Sequence, residues 1–461
     1  MRKIIASLYV TATLALVWNP SSLPAGQTYE LRSRRAAEAI DRVEATVEVG
    51  GDLKVIEADQ PQRLPINLSA RLAYHEKTLE VSSLAGGTTR SLRAYSAPIV
   101  SLQVGNQDFS PALRDDRRLI VAEVGADSTM FSPLGPLTRD ELDLIDQPGN
   151  TLLLDRLLPD GPVAVGDTWK HSPELIATLL GIDAVKSTDV TSKLLEVAGD
   201  IARIDLTGDA SGAVGGVATE IDVTGRYQFN LTTGRIVWFG LLLKEERAVG
   251  HIGPGVDWTA KLQMTIQPGG SSPELVAAAL GGLPLQATPG STLLVYDSPN
   301  GGWQFLHDRK WFTVSDTGNI AILQRVDRGE LVAQCKISTL EGTPSDITIG
   351  RFQNDIQRGL DKSFKRFVSA SQRTNSAGYQ EYNVVVEGSV PVTLDKQEQE
   401  LPIHWIYYLL SDGQGRRLVV AFVVEASLLE RFGGADRELL DSLRLRGSEM
   451  ASRPATANSQ R

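Results

Sequence analysis

The chain of 461 residues holds a single cysteine, Cys335, and only five histidines. One thiol excludes an internal disulfide and any cysteine-cluster metal site. His75, His171, His251, His307 and His404 show no i, i+4 pairing and no His-Glu-x-x-His, so a helical zinc site has no ligand set. No Gly-x-Ser-x-Gly turn is present to carry a hydrolase nucleophile, and no Gly-Lys pair to build a Walker A phosphate loop. Gly253-Pro254-Gly255 and Gly413-Gln414-Gly415 lack a further glycine three residues on and read as turns. Positive charge is scarce: 46 Lys and Arg stand against 56 Asp and Glu, a net of −10, without the basic domain that nucleic-acid binders carry. No cofactor and no metal are expected from this inventory.

Long apolar runs are also missing. Residues 4–18 are fifteen residues without a charge, short of the roughly 20 apolar residues that span a bilayer. Arg2 and Lys3 precede that stretch, and Asn19, Pro20, two serines and Leu23-Pro24-Ala25 follow it. This is the order of a secretory signal peptide, expected over 1–25 with cleavage after Ala25. No lipid-attachment cysteine sits near its end, and no later segment is expected to cross a membrane. An exported chain without disulfides relies on core size, and points to a bacterial periplasmic or secreted protein.

What is present is alternation. Val43, Ala45, Val47 and Val49 alternate with polar neighbours, as do Leu68, Ala70, Leu72 and Tyr74. The run Val217, Thr219, Ile221, Val223 continues through Tyr227, Phe229 and Leu231, and Ala260, Leu262, Met264 and Ile266 form another. A period of two marks antiparallel strands with one buried and one wet face. Thr232-Thr233-Gly234 reads as a hairpin loop. Residues 236–243 are apolar on both faces and predict a central strand that is covered on both sides or lines a cavity.

Helices are few in this half. Thr138 with Glu141 forms a capping box. Ser172-Pro173 opens a helix that Gly181 closes, and Ser272-Pro273 with Gly281 repeats the same punctuation. The expected organisation is an antiparallel β-rich domain over 27–268, a linker with a short helix over 269–291, an α+β domain over 292–446 and a disordered tail over 447–461. Charge supports the boundary: from Ser291 onward 20 basic residues meet 21 acidic ones, so the acidity belongs to the first half. In the second half, strands precede one long helix predicted over 347–371, on the spacing of Phe352, Ile356, Leu360, Phe364 and Phe367. Three more strands follow, two of them joined by a turn at Asp412-Gly413-Gln414-Gly415, then a final helix over 428–445.

The segments Trp303-Gln304-Phe305 and Trp311-Phe312-Thr313-Val314, the strands around Tyr407-Tyr408 and Val419-Val420, and the closing Leu440-Asp441-Ser442-Leu443 make this half resemble the photosystem extrinsic protein PsbP and its bacterial relatives. That resemblance covers about 150 residues of pattern, with no catalytic motif. It implies an antiparallel-sheet α/β/α sandwich used for binding or assembly. The strand-rich, helix-poor first half is faintly similar to the bacterial lipoprotein-carrier half-barrels, which implies a curved sheet cupping an acyl chain.

Two surfaces are candidate sites. Trp238, Phe239 and Leu241, with Trp258, would line an apolar pocket if the sheet curls. Arg358, Lys362, Lys365 and Arg366 would form a basic face on the predicted long helix, suited to an acidic partner; six basic and two acidic residues fall within 351–373. Asp140, Glu141, Asp143 and Asp146 crowd together but lack calcium-loop spacing. Glu245-Glu246 and Asp115-Asp116 are adjacent, so on a strand each pair points to opposite faces and is no dyad; a solvated face is expected. Cys335 reads as a small core residue. The expected function is a non-catalytic, exported envelope protein that binds a protein partner or a lipid-like apolar ligand. The competing reading is a secreted hydrolase whose carboxylates are brought together by the fold.

Overall fold

The computed structural model of the chain describes residues 27–445 apart from 58–59, 83–86, 126–127, 251–253, 299–300, 341–346, 395–396 and 413–414. The expected leader at 1–25, the tail at 447–461, His251 and the centre of the Asp412–Gly415 turn lie outside the described residues. The protein is a β-rich α+β fold built on two large antiparallel sheets, as the alternation implies.

The first sheet has 14 strands. Eleven of them run edge to edge: β1 (Ile40–Glu57), β2 (Gln60–Glu80), β3 (Thr89–Tyr95), β4 (Leu119–Val124), β5 (Ser128–Phe131), β6 (Thr168–Lys170), β7 (Thr191–Ala198), β8 (Ile201–Val214), β9 (Val217–Asn230), β10 (Arg235–Arg247) and β11 (Gly255–Pro268). Their order across the sheet is β6-β7-β8-β9-β10-β11-β1-β2-β3-β4-β5. Strand Ile99–Val104 adds to the outer part of β2. One face is dry and one wet. Along β9, Val217, Ile221, Val223, Tyr227 and Phe229 are buried while Glu220, Asp222, Thr224 and Arg226 are exposed. The β9–β10 turn uses Gly234 at φ +66°, as its sequence implies.

Three short helices plug the dry face: α1 (Arg139–Ile145), α2 (Thr151–Leu154) and α3 (Pro173–Leu180). The Thr138–Glu141 capping box starts α1, and Ser172 caps α3, which ends at left-handed Gly181. The Ser272 copy behaves differently. Its hydroxyl bonds the Glu274 carboxylate, so it caps no backbone N–H, and the expected helix is broken at Val276 into a 3-10 turn over Pro273–Leu275 and a single helical turn over Ala277–Leu280. This segment, expected as a linker, buries Leu275 against Leu92, Val121 and Phe131 on the sheet.

The plug shows that the sheet curls. Arg93 on β3 donates to Thr151 Oγ1 at 2.9 Å, and Trp169 on β6 donates to the Leu157 carbonyl at 2.9 Å. In a flat sheet the eight intervening strand spacings of roughly 4.8 Å would part β3 from β6 by about 38 Å. The helical segment between Thr151 and Leu157 rises only about 9 Å. Both contacts therefore require the two ends of the sheet to wrap round one plug.

One end of the wrapped sheet is stapled by buried charge. Glu76 is fully buried and accepts from Arg93 Nε at 2.8 Å, Ser91 Oγ at 2.9 Å and Thr151 Oγ1 at 2.8 Å. Arg35 reaches Glu76 at 3.4 Å, Asp155 at 2.7 Å and the Thr151 carbonyl at 3.1 Å. Asp41 adds an ion pair to Arg235. Burial alone would raise the Glu76 pKa, but Arg93, Arg35 and the Thr151 hydroxyl outweigh it and hold the group near 2.

The second sheet has seven strands: β12 (Trp311–Asp316), β13 (Ile320–Asp327), β14 (Glu330–Leu340), β15 (Phe364–Thr374), β16 (Gln380–Leu394), β17 (Gln397–Ser411) and β18 (Arg417–Glu425), in the order β12-β13-β14-β18-β17-β16-β15. One face carries Trp303, Phe305 and the closing helical segment in a shared core; the other packs on helix α4 (Ile349–Leu360).

Two helix expectations are corrected here. The helix predicted over 347–371 is α4 alone; the chain turns at Asp361, φ +46°, and continues as strand β15. Phe364 and Phe367 still face the same core, with ring centroids 4.8 Å apart, because bulges in β15 let residues three apart share a face. The apolar spacing thus imitated a helix. The final helix over 428–445 is likewise broken: Gly433 and Gly434, at φ +55° and +83°, separate a short turn from α5 (Ala435–Ser442). Arg444 and Leu445 then pair with Gln304 and Trp303.

The two sheets touch through the plug. Val295 N donates to the Leu137 carbonyl at 2.8 Å, and Arg139 donates to the Trp311 carbonyl at 3.2 Å while stacking on Phe312.

Candidate functional site

The plug does not fill the wrapped sheet completely. A cavity of about 400 Å³ remains between them, walled almost wholly by hydrocarbon. Strand register builds its floor. Leu241 of β10 pairs with Leu262 of β11, which pairs with Val47 of β1. In the next row Leu243 pairs with Ala260, and Ala260 with Val49. All six side chains line the space, with Leu68 of β2 and Ile221 of β9 at the flanks. The plug supplies Gln147 and Pro148 beyond α1, and Leu180 with Gly181 at the end of α3.

The next row outward changes chemistry. Glu245 pairs with Trp258, and Trp258 with Gly51; Arg247 follows on β10. Glu245 Oε1 accepts from Arg247 Nη2 at 2.7 Å, Arg247 Nε at 3.0 Å and Thr219 Oγ1 at 2.9 Å. Its Oε2 accepts from Trp258 Nε1 at 2.9 Å. The Glu245 and Arg247 side chains are 12% and 15% exposed, so this rim is mostly buried but in touch with water. Gly51, at φ +154°, is what lets β1 come this close: an added Cβ would stand 2.5 Å from Trp258 Cα. The rim lies about ten residues along β1 from the register of Asp41 and Glu76, roughly 33 Å from the charged staple.

Of the four residues expected in an apolar pocket, Leu241 and Trp258 line the cavity. Phe239 is fully buried on the same face, one register step further in and next to Gly149. Trp238 does not take part: it lies on the outer face, paired with Gln228 and Thr265 and folded over Gly240. Alternation along β10 separates Trp238 from Phe239, which the sequence reading had grouped together. Glu245 and Arg247 were missed. Glu245-Glu246 was read as a solvated pair, and that holds for Glu246, 77% exposed, but not for Glu245. The signal was available: Glu245 and Arg247 continue the inward phase of Leu241 and Leu243.

The four residues expected as a basic helix face are distributed over three elements. Arg358 lies on α4 and is ion-paired with Asp355. Lys362 sits in the turn Asp361–Ser363, and Lys365 and Arg366 lie on β15, where Arg366 grips Glu387 at 2.8 and 2.9 Å. Helix geometry therefore does not unite them.

Most of the buried carboxylates are engaged by arginine: Glu141 by Arg114, Glu381 by Arg373 and Arg437, Asp412 by Arg416, and Glu76 and Asp41 as above, whereas Asp436 accepts from the Tyr408 hydroxyl. Cys335 is buried in the second core, where burial pushes its thiol well above the usual range. His171 meets Ser192 Oγ at 2.8 Å, and burial pushes its pKa down to about 4. Among the described residues no group of three or more His, Cys, Asp or Glu side chains could hold a metal ion, and no helix is long and apolar enough to cross a membrane.

No family model matches the chain, and no curated protein matches it. Several solved structures align with it at low similarity. The Ran-binding protein Mog1p of Saccharomyces cerevisiae is 10% identical over 34% of this chain and 97% of its own, with a TM-score of 0.27. The complex of MucA and MucB from Pseudomonas aeruginosa aligns at 11% identity over 88% of this chain and 94% of that one, with a TM-score of 0.18. A structure from Bacteroides thetaiotaomicron aligns at 12% identity over 34% of this chain with a TM-score of 0.22, and the chain spans about half, 49%, of its length. At such scores none of them defines the fold or the function of this chain.

Proposed function

We propose that this protein is a non-catalytic, exported component of a bacterial cell envelope that holds a lipid-like apolar ligand in the cavity of its first sheet. The observation that carries this reading is the cavity itself. Its volume of about 400 Å³ lies within the range of roughly 300–1,000 Å³ typical of small-molecule sites. An apolar cavity of roughly 150 Å³ stays dry and takes up benzene, so the present one has room for on the order of fifteen carbons. Leaving this much hydrocarbon wall uncovered costs stability, which a ligand would restore.

The sequence features at residues 1–25 support export to the periplasm or beyond. Each sheet has its own core, which supports a division into a ligand-holding domain and a second, PsbP-like domain docked on the plug through Arg139 and Leu137. A protein partner remains an expectation for the second domain, without the single basic helix face first assigned to it.

Native mass spectrometry of the protein purified from its own envelope tests this reading, together with titration of the stripped protein by the neutral apolar dye N-phenyl-1-naphthylamine. The expected result is a lipid-sized adduct lost on denaturation and saturable dye binding at one site. A clean apoprotein mass with no saturable dye binding would overturn it.

A further inference from the structure

The row of polar side chains at the cavity's open end specifies more than an apolar ligand. We propose that the ligand is a single-chain amphiphile with an anionic oxygen head group, carboxylate or phosphate, bound by Arg247 at the rim while its chain occupies the cavity. This rests on the ligand-holding reading above.

The rim distributes its hydrogen bonds unevenly. Glu245 accepts four of them, from Thr219, Trp258 and twice from Arg247. Three of them meet at Oε1 and one at Oε2, so the carboxylate serves to position the guanidinium and the indole. Arg247 uses Nε and Nη2 on Glu245; among the described residues no acceptor meets its Nη1. That nitrogen is the donor left over at the end of an apolar space. Arginine's fork is fixed and permanently charged, so a free edge favours an oxyanion over a hydroxyl.

The surroundings fit the same group. The Arg247 guanidinium lies 5.9 Å from the centre of the Trp258 ring, which holds it at one side of the opening. Trp258 itself lines the cavity, and its nitrogen is occupied by Glu245. The indole therefore offers only its apolar body to a passing chain. From Leu262 through Ala260 to Trp258 the wall grades from fully apolar to amphipathic in four residues. A hydrocarbon with no head would leave the Arg247 edge facing water alone, and a charged ligand with no chain would leave the cavity empty. An amphiphile satisfies both.

Displacement of N-phenyl-1-naphthylamine from the full-length protein tests the proposal, with palmitate, 1-palmitoyl lysophosphatidate and 1-hexadecanol as competitors. The anionic pair is expected to displace the dye at about tenfold lower concentration than the alcohol, as a hydrogen bond to a charged group implies. Whichever of the two anions is stronger identifies carboxylate or phosphate as the head. The double variant Glu245→Gln, Arg247→Gln removes both charges with little change of shape, and should bring all three competitors to the same concentration. Arg247→Lys should keep part of the preference. Equal displacement by the alcohol in the unmodified protein would overturn the head-group assignment while leaving the cavity reading intact. So would a preference that survives in a double variant whose melting temperature is unchanged. Absence of dye binding altogether would overturn both.

Discussion

Ala260 lies in the floor of the cavity, paired between Leu243 and Val49, and its substitution by Phe measures whether the space is real. Burying a Phe side chain is worth about 1.5–3 kcal/mol, whereas forcing extra volume into a packed core costs about 1–3 kcal/mol. With about 400 Å³ open above Ala260, the packing penalty is small and the burial gain remains. Ala260→Phe should therefore leave stability unchanged or raise it by about 1–2 kcal/mol. Ala202 on β8 is the control. It is fully buried in the same core and does not line the cavity, so Ala202→Phe should lose about 1–3 kcal/mol or more. Urea unfolding followed by tryptophan fluorescence gives both numbers, and dye titration gives the second half of the test. Ala260→Phe should abolish binding while the fold is intact. A variant that unfolds as early as Ala202→Phe, or that binds dye as the unmodified protein does, would refute the reasoning.

Three further outcomes are expected. Glu76→Gln leaves Arg93 and Arg35 buried without their shared anion and should cost about 3–5 kcal/mol; a loss under 1 kcal/mol in urea would show that the network is not desolvated. His171 and His307, both held by burial near pKa 4 against an ordinary 6.5, bind fewer protons folded than unfolded between those values. Stability should thus fall as pH drops from 6.5 to 4, by up to about 1.4 kcal/mol per pH unit for each. The double variant His171→Gln, His307→Gln should flatten that slope, and a urea midpoint that rises on acidification contradicts the assignment. Gly51→Ala places a Cβ 2.2 Å from the Asp257 carbonyl oxygen and should either prevent folding or part β1 from β11. A thermal midpoint within 2 °C of the unmodified protein, corresponding to under about 0.5–1 kcal/mol, would show that this close approach is not required.

The elements that sequence reveals here are those whose cause is local. The capping box at Thr138, the Ser172-to-Gly181 helix and the strict alternation of β9 are each decided within about a dozen residues. The apolar pocket was half legible: inward phase on β10 and β11 points to Leu241 and Trp258, and the same phase continued two steps would have reached Glu245 and Arg247. What was not legible depends on distant partners. The staple joins Arg35 to Asp155, 120 residues away, and Asp41 to Arg235, 194 residues away, and nothing local marks those side chains. The long helix of the second half failed for a different reason. Bulges in β15 gave a strand the spacing of a helix, and only the register against β16 distinguishes them.

The staple also decides how the cavity can be used. Glu76 and Arg93 tie the plug to the sheet at one end, so on the proposed reading a chain whose head stays at Arg247 would lie with its tail toward the staple. Such a chain would leave by giving up its contacts one methylene at a time. At about 0.8 kcal/mol per buried CH₂, each added carbon slows escape about fourfold. Two carbons thus separate a ligand that exchanges freely from one held more than tenfold longer. On that reading the cavity would sort its ligands by dwell time, holding long chains and letting short ones go.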